Sequence, residues 1–198
     1  MSDAAVIEVP GKKVRKSHVW EKAEFDHYIE PPWCSARLFE AEDFIGTIYD
    51  PACGIGTIFR TARAAGLDIC ASDLQGWDDG HSLPRDFFAQ KYDIPNIVSN
   101  PPFTVFKEFA LKALDDASRK VALMWLSRRV LAAGKWLRQM PLARIYYLTP
   151  RPSMPPAHLI KAGIKPAGGS QDYVWLVWDK KHVGRPEVLW LHRDHGVL

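Results

Sequence analysis

Asn100-Pro101-Pro102-Phe103 places an amide, two rigid prolines and an aromatic ring in immediate succession. The amide oxygen of an Asn accepts hydrogen bonds from an amino group, and the face of a Phe ring can stack on a planar base. Two prolines restrict φ twice and remove two N–H donors, so a strand arriving through Ile94–Ser99 must stop and present its end rigidly. Such an end could hold an exocyclic amine. It could equally be a plain turn with a core Phe behind it, since Asn and Pro both favour turns.

A second chemistry-bearing stretch lies upstream. Asp50-Pro51-Ala52-Cys53-Gly54-Ile55-Gly56-Thr57 follows a short β-branched and aromatic run, and it precedes a segment of helical composition, Ile58–Ala65, that stops at Gly66. Strand, glycine loop and helix in that order open a doubly wound α/β fold, whose ligands bind beyond the carboxyl ends of the strands. A nucleotide phosphate is not the obvious ligand. Position 59 is Phe where a dinucleotide loop needs a third Gly, and the Gly-Lys-Ser/Thr of a phosphate loop is missing. Asp73 ends the next strand-like run, Asp68–Asp73, one strand over from the loop; an acid there accepts from ribose hydroxyls or caps a turn.

The elements that must position these groups follow from periodicity. Trp33–Phe44 reads as an amphipathic helix, entered through Pro31-Pro32, with Leu38, Phe39 and Phe44 on its inner side. Only 27 positions separate Asp73 from Asn100, room for an abbreviated third strand and connection. Val105, Phe106, Phe109, Ala110, Ala113 and Leu114 repeat at helical spacing over Val105–Ser118. Lys120–Leu126 is an apolar strand of the fully buried kind, Arg128–Gln139 a basic helix, and Ala143–Leu148 another strand. The Pro- and Gly-rich stretch from Thr149 to Gly169 predicts a long loop; Asp172–Trp178 closes as a strand and Glu187–His192 adds an edge. Trp175, Trp178 and Trp190 are read as core, because rings in apolar strands bury well.

With 198 residues, 47% of them apolar, the chain is of one-domain size and can bury a core without metals or disulfides. The expected organisation is a flexible basic arm at Met1–Ser17 and a single domain over residues 18–198. Cys34, Cys53 and Cys70 form no zinc spacing and are expected as buried thiols in a reducing compartment; the seven histidines are scattered, so no metal is expected. No apolar run spans a membrane and no signal design opens the chain, which predicts a cytoplasmic protein without membrane partners. A net charge of +3 permits a polyanionic partner without demanding one.

Taken together, the Asp50–Thr57 loop, Asp73, Asp86-Phe87-Phe88 and Asn100-Pro101-Pro102-Phe103 resemble, in this order, the class I S-adenosylmethionine-dependent methyltransferases. Within them the chain is similar to the DNA adenine-N6 methyltransferases of small phage or prophage type. The resemblance implies a seven-stranded mixed sheet with one antiparallel strand near the end and helices on both faces. It implies that Asp50, Gly54 and Gly56 line the methionine part of S-adenosylmethionine, with Pro51, Ala52 and Cys53 of the same loop also cofactor-binding. By the same resemblance Asp73, with Leu74 beside it, holds the ribose; Asp86 accepts from the cofactor adenine; Phe87 packs near that ring; and Tyr28 belongs to a first cofactor motif running to Leu38. Asn100 and the Pro101 carbonyl would accept from the target amine, held by Pro102, with Phe103 stacked on the base. Larger relatives carry a separate target-recognition domain. With none here, specificity would come from the Arg151–Lys165 loop, the N-terminal arm, a partner protein or the mate of a homodimer. The substrate implied is DNA; RNA adenine, protein glutamine and an inactive binding subunit are the alternatives.

Overall fold

Because β5 (Ala117–Leu126) is apolar and buried without a break from Val121 to Leu126, it can be covered on both sides there, and the rest of the sheet is built outward from it. The computed structural model describes residues 28–76, 82–156, 160, 162–163 and 169–194; the expected arm at 1–17 lies outside them. Around β5 the chain lays down α1 (Pro32–Ala41), β1 (Ile48–Asp50), α2 (Thr57–Ala64), β2 (Ile69–Asp73), β3 (Leu83–Pro84), β4 (Ile94–Ser99) and α3 (Phe106–Asp116) before it. After it come α4 (Ser127–Leu137), β6 (Leu142–Thr149), β7 (Tyr173–Asp179) and β8 (Glu187–His192). The strands form one sheet in the order β3-β2-β1-β4-β5-β7-β6-β8. β7 runs antiparallel between β5 and β6, and the other pairings are parallel.

Two apolar clusters cover the faces, and the alternation of β5 feeds both. Ala122, Met124 and Leu126 join Cys34 and Leu38 of α1, Ile58 and Ala62 of α2, and Trp175. Val121, Leu123 and Trp125 join Phe106, Phe109 and Ala113 of α3, Ala133 and Leu137 of α4, and Trp178. Period-two side-chain direction explains why neighbouring residues of one continuous apolar run serve opposite cores. Phe106 stacks on Trp125 with centroids 4.0 Å apart and planes 3° from parallel, which fastens the start of α3 to β5.

Three expectations are corrected. The sheet has eight strands, not seven, because Glu187–His192 pairs in parallel with β6 from Arg144 to Thr149. Trp190 is not core: β8 is an edge strand, and the ring is 66% exposed, stacked on Tyr147. Cys70 is likewise exposed rather than buried, on β2, which lies between β1 and the two-residue edge strand β3. The abbreviated third strand is present as β3, held to β2 by the Ser72–Leu83 and Asp73–Pro84 pairings.

Candidate active site

β1, β2 and β4 end side by side, and their last residues are Asp50, Asp73 and Ser99. Parallel pairing of these strands brings the glycine loop, the Asp73 turn and the Asn-Pro-Pro-Phe segment to one edge of the sheet. The loop turns sharply there. Gly54 and Gly56 have φ of +52° and +78°, and Gly56 starts α2 from the left-handed region, where a side chain would be strained.

Asp50 is fully buried. Its Oδ1 accepts from the Ser99 hydroxyl at 2.7 Å and from the Ala52 N–H at 3.4 Å, while Oδ2 has no partner among the described residues. Burial pushes this carboxyl well above the usual carboxylate range, the Ser99 hydrogen bond works against that, and the nearby Glu30 and Asp73 add to the rise. Asp73 pins the loop: Oδ2 accepts from Gly54 N–H and Oδ1 from Gln75 N–H, both at 2.9 Å. Each oxygen keeps a second lone pair, so a further acceptor role stays open to it. Leu74 follows with its side chain 64% exposed, an apolar surface beside the crevice. Pro51 and Cys53 are buried in the loop, Ala52 is partly so, and Cys53 N–H donates to the Ser72 carbonyl at 3.1 Å.

Asp86 reaches this edge through its neighbour, because Arg85 N–H donates to the Asp73 carbonyl at 2.9 Å. Its own side chain accepts from Phe88 N–H at 2.8 Å and caps the short turn Phe87–Ala89. Phe87 is buried among Tyr49, Tyr92 and Phe109, so its ring supports the floor of this region from the core side.

Asn100 follows β4. Its Nδ2 donates to the Tyr28 carbonyl at 3.0 Å and to Glu30 Oε2 at 2.9 Å, and its Oδ1 is buried without a partner among the described residues. Pro101 is buried, and Phe103 lies in a half-buried turn, 6.1 Å from the ring of Tyr173 at the start of β7. The segment carrying Tyr28 and Glu30 is held by Ile29 N–H donating to the Pro155 carbonyl at 3.0 Å. Residues 152–156 of the Pro-rich stretch are therefore buried against the site; most of the stretch up to Lys165 lies outside the described residues.

Glu30 is the site residue that sequence reasoning missed. It is 6% exposed, and burial pushes its carboxyl up to about 7, with the Asn100 hydrogen bond and the Arg60 charge opposing. Its signal in the sequence is slight: a single acid between Ile29 and Pro31-Pro32. Ser99 was missed for a similar reason, since a lone Ser at a strand end predicts nothing. The result is a strand-end cluster with two buried acceptors unpartnered among the described residues, Asp50 Oδ2 and Asn100 Oδ1, and three carboxyls, Glu30, Asp50 and Asp73, a setting suited to a cationic ligand and an amine.

No protein-family model and no curated protein matches this sequence. Among solved structures, a candidate RNA methyltransferase of Pyrococcus horikoshii superposes with a TM-score of 0.51 at 13% identity, over 77% of this chain and 81% of that one. A candidate class I S-adenosylmethionine-dependent methyltransferase of Listeria monocytogenes gives 0.52 at 16%, over 82% and 64%. A type I restriction-modification methyltransferase subunit of Streptococcus thermophilus gives 0.52 at 9%, over 83% and 47%. The fold is that of the class I methyltransferases. At these identities the likeness is one of architecture, and this chain spans less than half of the Streptococcus subunit.

Proposed function

We propose that the protein transfers a methyl group from S-adenosylmethionine to the exocyclic N6 amine of adenine in DNA. The observation that carries this reading is the pair of orphaned acceptors, Asp50 Oδ2 and Asn100 Oδ1, at the ends of adjacent strands. Asp50, Gly54 and Gly56 would hold the methionine part of the cofactor, and Asp73 its ribose. Burial, with Glu30 and Asp73 adding to it, raises the Asp50 carboxyl, which favours a ligand that carries positive charge, as this cofactor does at its ammonium and its sulfonium. When bound, the cofactor supplies an electrophilic methyl.

An adenine amine is a poor nucleophile because its lone pair is delocalised into the ring. Asn100 Oδ1 and the Pro101 carbonyl accept its two hydrogens and favour a more tetrahedral nitrogen, whose lone pair is then available. The proton becomes acidic as the N–C bond forms, so positioning does the main work and no strong base is required beforehand. Phe103 stacks on the base, which must leave a duplex at a cost of a few kcal/mol. Arg128 and Arg129 are exposed at the start of α4, directly after the carboxyl end of β5, and offer contacts to phosphates at the same edge. Nucleic acid as substrate also accords with the descriptions of the Pyrococcus and Streptococcus structures.

The test supplies labelled S-adenosylmethionine with duplex DNA, single-stranded DNA, RNA and a protein mixture. Label in adenine N6 of DNA is the expected result. Label in RNA adenine or protein glutamine would reassign the substrate, and label in cytosine would overturn the base assignment. Cofactor binding without any transfer would leave a binding subunit.

A further inference from the structure

We propose that Glu30 is a positioning residue for this transfer: its carboxylate, accepting from Asn100 Nδ2, fixes the amide so that Oδ1 alone is presented to the incoming amine. The inference rests on the amine-methyltransferase reading. An Asn amide can turn over and exchange a donor for an acceptor at nearly the same place, and only its partners decide which faces a ligand. Here both partners of Nδ2, the Tyr28 carbonyl at 3.0 Å and Glu30 Oε2 at 2.9 Å, are acceptors, so the turned-over amide would set oxygen against oxygen. The carbonyl cannot change character. Glu30 can: once protonated it is a donor and no longer opposes the turned-over amide, so the Tyr28 carbonyl alone holds the orientation and an N–H is less firmly kept from the place where the substrate amine needs an acceptor.

The groups facing Glu30 bear on when that happens. Asn100 comes from the end of β4, Asp50 from β1, Arg60 from α2 and Cys34 from α1, with the Tyr28 backbone on its own segment. Burial raises Glu30 into the neutral range, and Arg60 restrains the rise. The ionised form is therefore acquired across physiological pH rather than far below it, and the hydrogen bond to Asn100 becomes charge-assisted in the same interval.

Two measurements test the role. The Nδ2 proton and nitrogen signals of Asn100 in the wild-type protein should move with one midpoint between about pH 6 and pH 8, and Glu30→Gln should abolish that movement. In single-turnover transfer from labelled S-adenosylmethionine to adenine-unmethylated duplex DNA, the wild-type rate should fall on the acid side. Glu30→Gln should lower the rate at pH 8 by about tenfold and remove the acid limb, with the cofactor Kd changed less than about threefold. A wild type that labels DNA while its Asn100 signals ignore pH across this window overturns the role of Glu30, as does a Glu30→Gln enzyme with the wild-type limb. A wild type whose amide titrates but which labels no nucleic acid or protein overturns the methyltransferase reading instead. The wild-type titration needs no variant to fold.

Discussion

Two buried glutamates sit near opposite ends of α1 and have opposite fates. Glu42, just past the C-terminus of the helix, is 5% exposed, and Lys120, Arg144 and Tyr146 all donate to it; the Lys120 and Tyr146 contacts measure 2.8 and 2.9 Å. Burial alone would raise its carboxyl, yet Arg144 and Lys120 outweigh burial and hold it below the usual range. Glu30, just before the helix, is buried to the same degree but has a neutral amide as its partner, and it is raised to about 7. A buried glutamate is structural where cations saturate it and poised where they do not and desolvation prevails. The unsaturated end is the one where β1, β2 and β4 finish.

Substitutions at the two ends should separate activity from stability. The largest effect expected is from Asn100→Ala, which removes one amine acceptor and should lower the transfer rate about a thousandfold with cofactor binding little changed; an effect below tenfold would remove Asn100 from the chemistry. At the saturated end, Glu42→Ala leaves the half-buried Lys120 and Arg144 only Asp179, 3.9 Å from each, as a counter-charge, and should cost up to about 3–5 kcal/mol in denaturant unfolding. The transfer rate per folded molecule should stay as it was, and a rate loss as large as that at Asn100 would erase the contrast.

Glu30→Gln should act in the opposite sense on stability. The folded carboxyl titrates near 7 against an ordinary value of 4.5, so between those limits the folded state holds more protons than the unfolded one. Wild-type stability should therefore decline as pH rises through that window, by about 3 kcal/mol at most. Glu30→Gln should be the more stable protein at pH 8, and parallel pH profiles for the two would show that Glu30 is not raised. The smallest effect belongs to the exposed Arg151–Asp172 pair, where Arg151→Gln should leave the unfolding midpoint unchanged.

Much of the framework was legible before any coordinates. The glycine loop, the helix from Phe106 and the buried strand β5 each rest on patterns confined to a dozen residues, and propensity and periodicity act at that range. Edges were harder. Trp190 looks like Trp175 in composition, yet one is exposed and the other fully buried, because strand position in the sheet decides and composition does not. Asp73 shows a subtler limit. Its place at a strand end was readable, but not that both oxygens would pin backbone N–H groups of Gly54 and Gln75.

By itself the sequence determined which residues could meet an amine and a cofactor, and that α/β units would bring them to strand ends, since turn chemistry and alternation are local. Only the tertiary structure decided their electrical state. Glu30 and Asn100 lie 70 residues apart, and Glu42 and Arg144 lie 102 apart. Whether a carboxyl is charged depends on desolvation and on every neighbour summed in space, and no stretch of sequence contains that sum.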